Sequence, residues 1–182
     1  FARTTALKPL CIMCLAPYPN RSSPIDSAEE PSNLISPQLK AMLVFWRWPD
    51  PLPGHRAFTR YLGTDPRIDP DRLRAKLGEL PSDPSEQNRL WYRVYRTHEN
   101  EPGVMGAHKD FLLTRDITWL SFAMFILLGL GSVFIGDSIL QTTWYPVFLA
   151  LQYLLASIAA RRHGIRFVLN VLAVEASASS HT

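Results

Sequence analysis

Cysteine is almost missing from this chain: Cys11 and Cys14, in the run Cys-Ile-Met-Cys, are the two in 182 residues. No second Cys-x-x-Cys and no nearby histidine pair completes the four ligands that a structural zinc site takes. A redox Cys-x-x-Cys opens a helix in a βαβ unit, and no such pattern follows here. Lysine is scarce as well, since 15 of the 19 basic residues are arginine. That bias has the look of a bacterial protein from a GC-rich genome. The net charge is only +3. No basic run is long enough to form a nucleic-acid stripe, so no nucleic-acid partner is expected; a mild attraction to anionic lipid is the simpler reading. A Gly-rich phosphate loop, a Gly-x-Ser-x-Gly elbow and a dinucleotide fingerprint are all lacking, and no cofactor is expected.

Charge is missing from the back of the chain. Residues 1–116 hold 16 of the 19 Lys and Arg, 14 of the 16 Asp and Glu and 14 of the 15 prolines. Residues 117–136 are twenty in a row without a formal charge. As a helix they reach ~30 Å, the thickness of a bilayer's hydrocarbon. Asp137 interrupts, and residues 138–160 are again uncharged. The fold class expected is therefore mainly α: an integral membrane protein with a two-helix transmembrane hairpin, spans at about 117–136 and 141–160, and a small helical cytoplasmic module. Pro146 lies near the start of the second span, where its missing N–H costs least. The connection carries Asp137 and no Lys or Arg, whereas the outer flanks carry Lys109, Arg115, Arg161, Arg162 and Arg166. The positive-inside rule puts both flanks in the cytoplasm, here of a bacterial inner membrane.

The front is proline-punctuated. Residues 1–54 read as irregular and Pro/Ser-rich, with a short apolar segment at 41–48 (AMLVFWRW) that is too short to span. That segment suits either a membrane interface or a small soluble core. Residues 9–16 are apolar, but no A-x-A-like site follows, and no signal peptide is expected. Asn20-Arg21-Ser22 matches a glycosylation sequon that a cytoplasmic placement leaves unused. Residues 55–105 read as the helical module. Asp69-Pro70 and Asp83-Pro84 are start signals for two helices, which are expected to pair as a hairpin through Pro81 and Ser82. A third helix is expected from near Gly106 into the first span. Residues 161–182 read as a basic flank, a helix at 164–174 and a loose tail.

Candidate site residues fall into four groups. Trp46, Trp48, Arg115, Trp144, Tyr145, Arg161 and Arg162 suit the membrane interface, where amphipathic rings and long cationic side chains settle. Gly129, Ser132, Gly136, Gln152, Ala156 and Ala160 suit helix packing within the bilayer, because small residues let helices approach closely and one amide seeks a partner. Leu90, Trp91, Val94 and Tyr95 form an apolar helix face for docking a partner, edged by Arg89, Arg93 and Arg96. His98, Glu99 and His108 are the most enzyme-like cluster, yet they lack metal-site spacing, so no metal and no catalytic residue is assigned.

Three functions follow. The first is a non-enzymatic membrane anchor or adaptor whose partners are the lipid bilayer and another membrane protein. The second is a self-assembling pore or membrane-disrupting effector, a homo-oligomer built on the small-residue faces. The third is a membrane-bound metal-dependent enzyme using His98, Glu99 and His108. The lack of an ionisable residue inside either span speaks for the first, since proton and ion pathways usually carry one.

Overall fold

The computed structural model describes residues 36–135, 138 and 140–178. Cys11, Cys14, the sequon at 20–22, most of the irregular N-terminal region, Gly136, Asp137 and the last four residues lie outside the described residues. The protein is mainly helical, and no strand occurs among the described residues.

Local chemistry sets the helix starts. Helix α1 (Pro37–Phe45) opens on Ser36, whose hydroxyl accepts from the Leu39 N–H at 3.3 Å, with Pro37 behind it. It closes on Trp46, which turns into the left-handed region at φ 52° and returns its N–H to the Met42 carbonyl. Residues 37–45 are thus helical, which corrects the expected irregular start. The signal was present: a serine followed by proline is a helix opening. Helices α2 (Pro70–Leu77) and α3 (Pro84–His98) begin on the capping carboxylates of Asp69 and Asp83. Helix α4 runs Pro102–Met124, beginning four residues before Gly106 because Pro102 fits the first turn. It continues through a π-helical turn (Phe125–Leu130) into α5 (Gly131–Ile135). A second π-helical turn (Leu140–Trp144) leads into α6, Tyr145–Ser177, with Pro146 in its first turn.

Helix α6 is unbroken across Arg161, Arg162 and Gly164. The helix expected at 164–174 is its second half, and that half organises the core. Phe167, Val168, Val171, Leu172 and Ala176 are buried at helical spacing against Leu73 of α2, Trp91 and Tyr95 of α3, and Val104, Ala107 and Phe111 of α4. The core therefore draws on both sides of the boundary expected at residue 105. The expected α2–α3 hairpin is also corrected. Helix α3 packs chiefly on the 53–56 turn and on α6, and α2 on α6. The apolar faces of both helices reach more area on the long helix than on each other.

Residues 53–68 cross this core as a 3₁₀ turn (Pro53–Arg56) and tight bends. Gln87 pins them. It is 1% exposed, its Oε1 accepts from the Phe58 and Thr59 N–H groups, and its Nε2 donates to the Ser82 carbonyl. At the far end, the Lys76 ammonium donates to the carbonyls of Glu175 and Ala178. It thereby satisfies the last turn of α6, where a cation is favoured.

His55 gives the module a pH dependence. Its Nε2 lies 3.4 Å from Asp50, but burial outweighs that carboxylate and holds the imidazole below its ordinary pKa of 6.5. The folded protein favours the neutral ring, and the unfolded chain takes up the proton more readily. The stability this contributes is complete above the unfolded value and is lost as pH falls through the lowered folded one. Between about pH 7 and about pH 5, His55→Gln is expected to lose less thermal stability than the wild type. Equal losses would assign the pH dependence to other groups.

Candidate functional site

The helices that carry residues 102–130 and 142–177 are long and apolar enough to cross a membrane by length and composition. Their most apolar windows are only 22% and 17% buried inside the protein, unlike the core helix of a water-soluble domain. Among the described residues, all but four of the exposed large hydrophobic side chains fall between Leu113 and Ile158. The exceptions are Leu39, Trp46, Trp48 and Met105. On α6 the change is abrupt: Leu154, Leu155 and Ile158 face outward, and Ala160, Phe167 and Val168 are buried.

The two rods meet along one stripe. Thr118, Ser121 and Gly129 are buried on the first, and Leu149, Ser157 and Ala160 on the second. At Gly129 a Cβ would stand 3.2 Å from the Phe125 ring and 3.5 Å from the Pro146 Cα. The 3.2 Å contact is within the first rod, and the second rod would be met at ordinary van der Waals distance. Gln152 reaches across the stripe, its amide donating to the Ser121 hydroxyl at 3.5 Å. Ser132 instead donates to the Gly129 carbonyl of its own helix, and Ala156 is half-buried. Gln152 and Gly129 thus meet the other rod of the same chain, and Ser132 bonds within its own.

Helix α1 lies across the start of this apolar belt, against α4 and α6. Lys40 reaches Asp116 at 3.2 Å, and Arg115 binds the same carboxylate oxygen at 3.1 Å. Arg115, expected at the membrane interface, is 3% exposed within the protein, and its charge is met by Asp116. The Tyr153 hydroxyl donates to the Leu43 carbonyl and accepts from the Trp46 indole N–H, both at 2.9 Å. Arg161 lies 3.9 Å above the Trp46 ring, and its Nε donates to the Val44 carbonyl at 2.5 Å. Phe45 meets Gly164 and Phe111, where a Cβ on Gly164 would come within 2.9 and 3.0 Å of the two rings. Trp46, Arg47 and Trp48 then leave α1 exposed, Trp48 most of all at 79%. Arg162 is exposed on α6, and Trp144 and Tyr145 are exposed at the other end of the belt.

The enzyme-like cluster disperses. His98 Nε2 pairs with Glu175 at 2.5 Å, and Glu99 takes Arg96 at 2.6 Å. His108 is buried, with its Nδ1 3.2 Å from the Tyr95 hydroxyl and its ring stacked on Phe167. No group of three or more His, Cys, Asp or Glu side chains placed to hold a metal occurs among the described residues. The docking face is corrected too. Trp91, Val94 and Tyr95 are no more than 5% exposed, and Leu90 packs against the same cluster. They sit on Phe167 because α6 continues past its basic residues and offers them an apolar partner within the chain. The outward side of α3 is Arg89, Arg93 and Arg96.

Sequence reasoning missed Phe167, Gly164 and Gln87. An isolated glycine within a helical pattern was a legible sign of close approach at 164. Gln87 carried no comparable sign, because its bonds are to a loop 28 and 29 residues away in sequence. The chain matches no protein-family model, no curated protein and no solved structure.

Proposed function

We propose that this protein is a two-span membrane anchor that holds a rigid helical module at the cytoplasmic face of a bacterial inner membrane, as a non-enzymatic adaptor. The observation that carries the anchor is the band of outward-facing apolar side chains between Leu113 and Ile158, ending where α6 enters the core. In water such a band is a large, costly patch; in lipid it is the ordinary surface. At residues 113–135 and 140–158 the backbone is helical and satisfies itself, as a bilayer requires. Orientation is supported by Lys109, Arg161, Arg162 and Arg166 on one side of the belt, joined by Arg47, Arg56 and Arg60.

The adaptor's contact surface is the arginine side of α3 and not its apolar side, which the core covers. The pore reading leaned on Gln152 and the small residues; of these, Gln152 and Gly129 meet the other rod of the same chain.

The full chain carrying a C-terminal fluorescent protein tests the anchor. It is expected to stay in the membrane pellet after alkaline carbonate washing and to fluoresce in the cytoplasm. Recovery in the supernatant would end the anchor reading, and a dark but membrane-bound fusion would reverse the orientation.

A further inference from the structure

The turn after α1 and the 53–60 segment beside it gather positive charge that Asp50 offsets only in part. Arg47, Arg56, Arg60 and Arg161 form no ion pair among the described residues. Arg47 stands between Trp46 and Trp48 in the chain, Arg161 lies 3.9 Å above the Trp46 ring, and the like charge of Arg47 acts on Arg56 and Arg161 as that of Arg60 does on Arg56. Asp50 is the nearby carboxylate, and His55 Nε2 lies 3.4 Å from it. Burial, followed by Arg47, lowers the Arg56 guanidinium from its ordinary value, so an external anion would relieve a cost already present.

The cluster is also placed at a fixed height. Trp46 is tied to α6 through Tyr153 and Arg161, at the level where the outward apolar band gives way to the module. Trp48 stands 79% exposed two residues on, although large aromatic side chains are normally covered in water. Exposed tryptophans beside unpaired arginines, on a helix lying across the end of an apolar belt, make an amphipathic contact. Rings settle among headgroups, and guanidiniums pair bidentately with phosphate.

We infer that the turn following α1 is a binding site for anionic phospholipid headgroups, formed by Arg47, Arg56 and Arg60 with Trp46 and Trp48 as its interfacial floor. Arg161 does not itself reach the headgroup. Its guanidinium is held by Val44 and Trp46, with Nη2 buried, so it positions Trp46 and adds field. The site rests on the membrane-anchor reading and deepens it by naming the lipid class.

The test uses the full chain reconstituted in phosphatidylcholine bilayers containing a minor fraction of brominated phosphatidylglycerol. Tryptophan quenching reads the enrichment of the anionic lipid at the protein. The wild type is expected to enrich phosphatidylglycerol several-fold over phosphatidylcholine, with the preference shrinking as salt is raised. The triple variant Arg47→Gln/Arg56→Gln/Arg60→Gln is expected to lose that several-fold preference and take up the two lipids about equally, since each arginine near an anionic surface contributes on the order of 1 kcal/mol. Arg89→Gln/Arg93→Gln/Arg96→Gln removes equal charge from α3 and is expected to keep the preference. A triple variant that enriches the anionic lipid like the wild type overturns the site, as does loss of the preference in the α3 variant alone. Should the triple variant misfold, Arg47→Gln alone is measured; its side chain is exposed, and an unchanged preference and salt dependence overturn the site equally. A chain that fails to enter the bilayer overturns the anchor reading itself, whereas an inserted chain indifferent to lipid charge overturns only this inference.

Discussion

Phe167→Ala is expected to cost the helical module about 3–5 kcal/mol, the range for removing a fully buried aromatic side chain. Phe167 is 2% exposed, and its ring meets rings of both α3 and α4. Trp91 and Tyr95 of α3 meet it edge-on, each with ring centroids 5.3 Å away. His108 of α4 stacks on it at 4.9 Å, and Phe111 lies at 6.4 Å. Truncation removes the area buried by the ring and leaves a cavity among rigid neighbours that cannot collapse into it. It also loosens His108, whose hydrogen bond to Tyr95 is aligned by that stack. Denaturant unfolding of the detergent-solubilised chain, followed by near-ultraviolet circular dichroism, reads the loss. Phe148→Ala is the matched control, because Phe148 is on the same helix and 63% exposed. Its expected effect is within about 0.5 kcal/mol. Equal shifts in the two variants would mean that the module is not organised on the second half of α6.

This packing explains which parts of the protein the sequence disclosed. The helix starts at 70 and 84 were legible because an acidic cap followed by proline is local chemistry, complete within four residues. The charge-free runs were legible because membrane-scale helices need length and composition and little else. Helix α1 was misread as irregular although Ser36-Pro37 announced it, because the prolines upstream of it dominated the reading. The face Leu90, Trp91, Val94 and Tyr95 was read correctly as apolar and wrongly as free. Periodicity shows that a helix has a face to bury, and it cannot show what covers that face. The cover lies more than 70 residues away on α6, beyond Arg161 and Arg162, where the basic pair read as the end of the span. His98 misled for the same reason: its neighbour in sequence is Glu99, but its partner in space is Glu175.

Leu127→Arg is expected to leave the module's fold intact and yet to remove the chain from the membrane. Leu127 is 73% exposed at the π-helical turn of the first rod, about midway along the apolar belt. On a water-exposed surface, exchanging a leucine for arginine at such a site changes stability by no more than about 0.5 kcal/mol. At the centre of a bilayer the same exchange costs roughly 3–4 kcal/mol, the sum of a lost apolar residue and an arginine insertion penalty. The variant therefore separates the two environments by about two orders of magnitude in the insertion equilibrium. Measured by glycosylation-tagged or protease-protected insertion, the inserted fraction is expected to fall well below that of wild type, with the remainder degraded or aggregated. Arg93→Leu is the reciprocal control: it adds an exposed leucine to α3 and is expected to leave insertion unchanged. Full insertion of Leu127→Arg would mean that protein and not lipid faces that surface, and the outward band from Leu113 to Ile158 would then be an interface covered by a partner in the membrane. Failure of the variant to insert, together with wild-type behaviour of Arg93→Leu, would mean that lipid is what covers it.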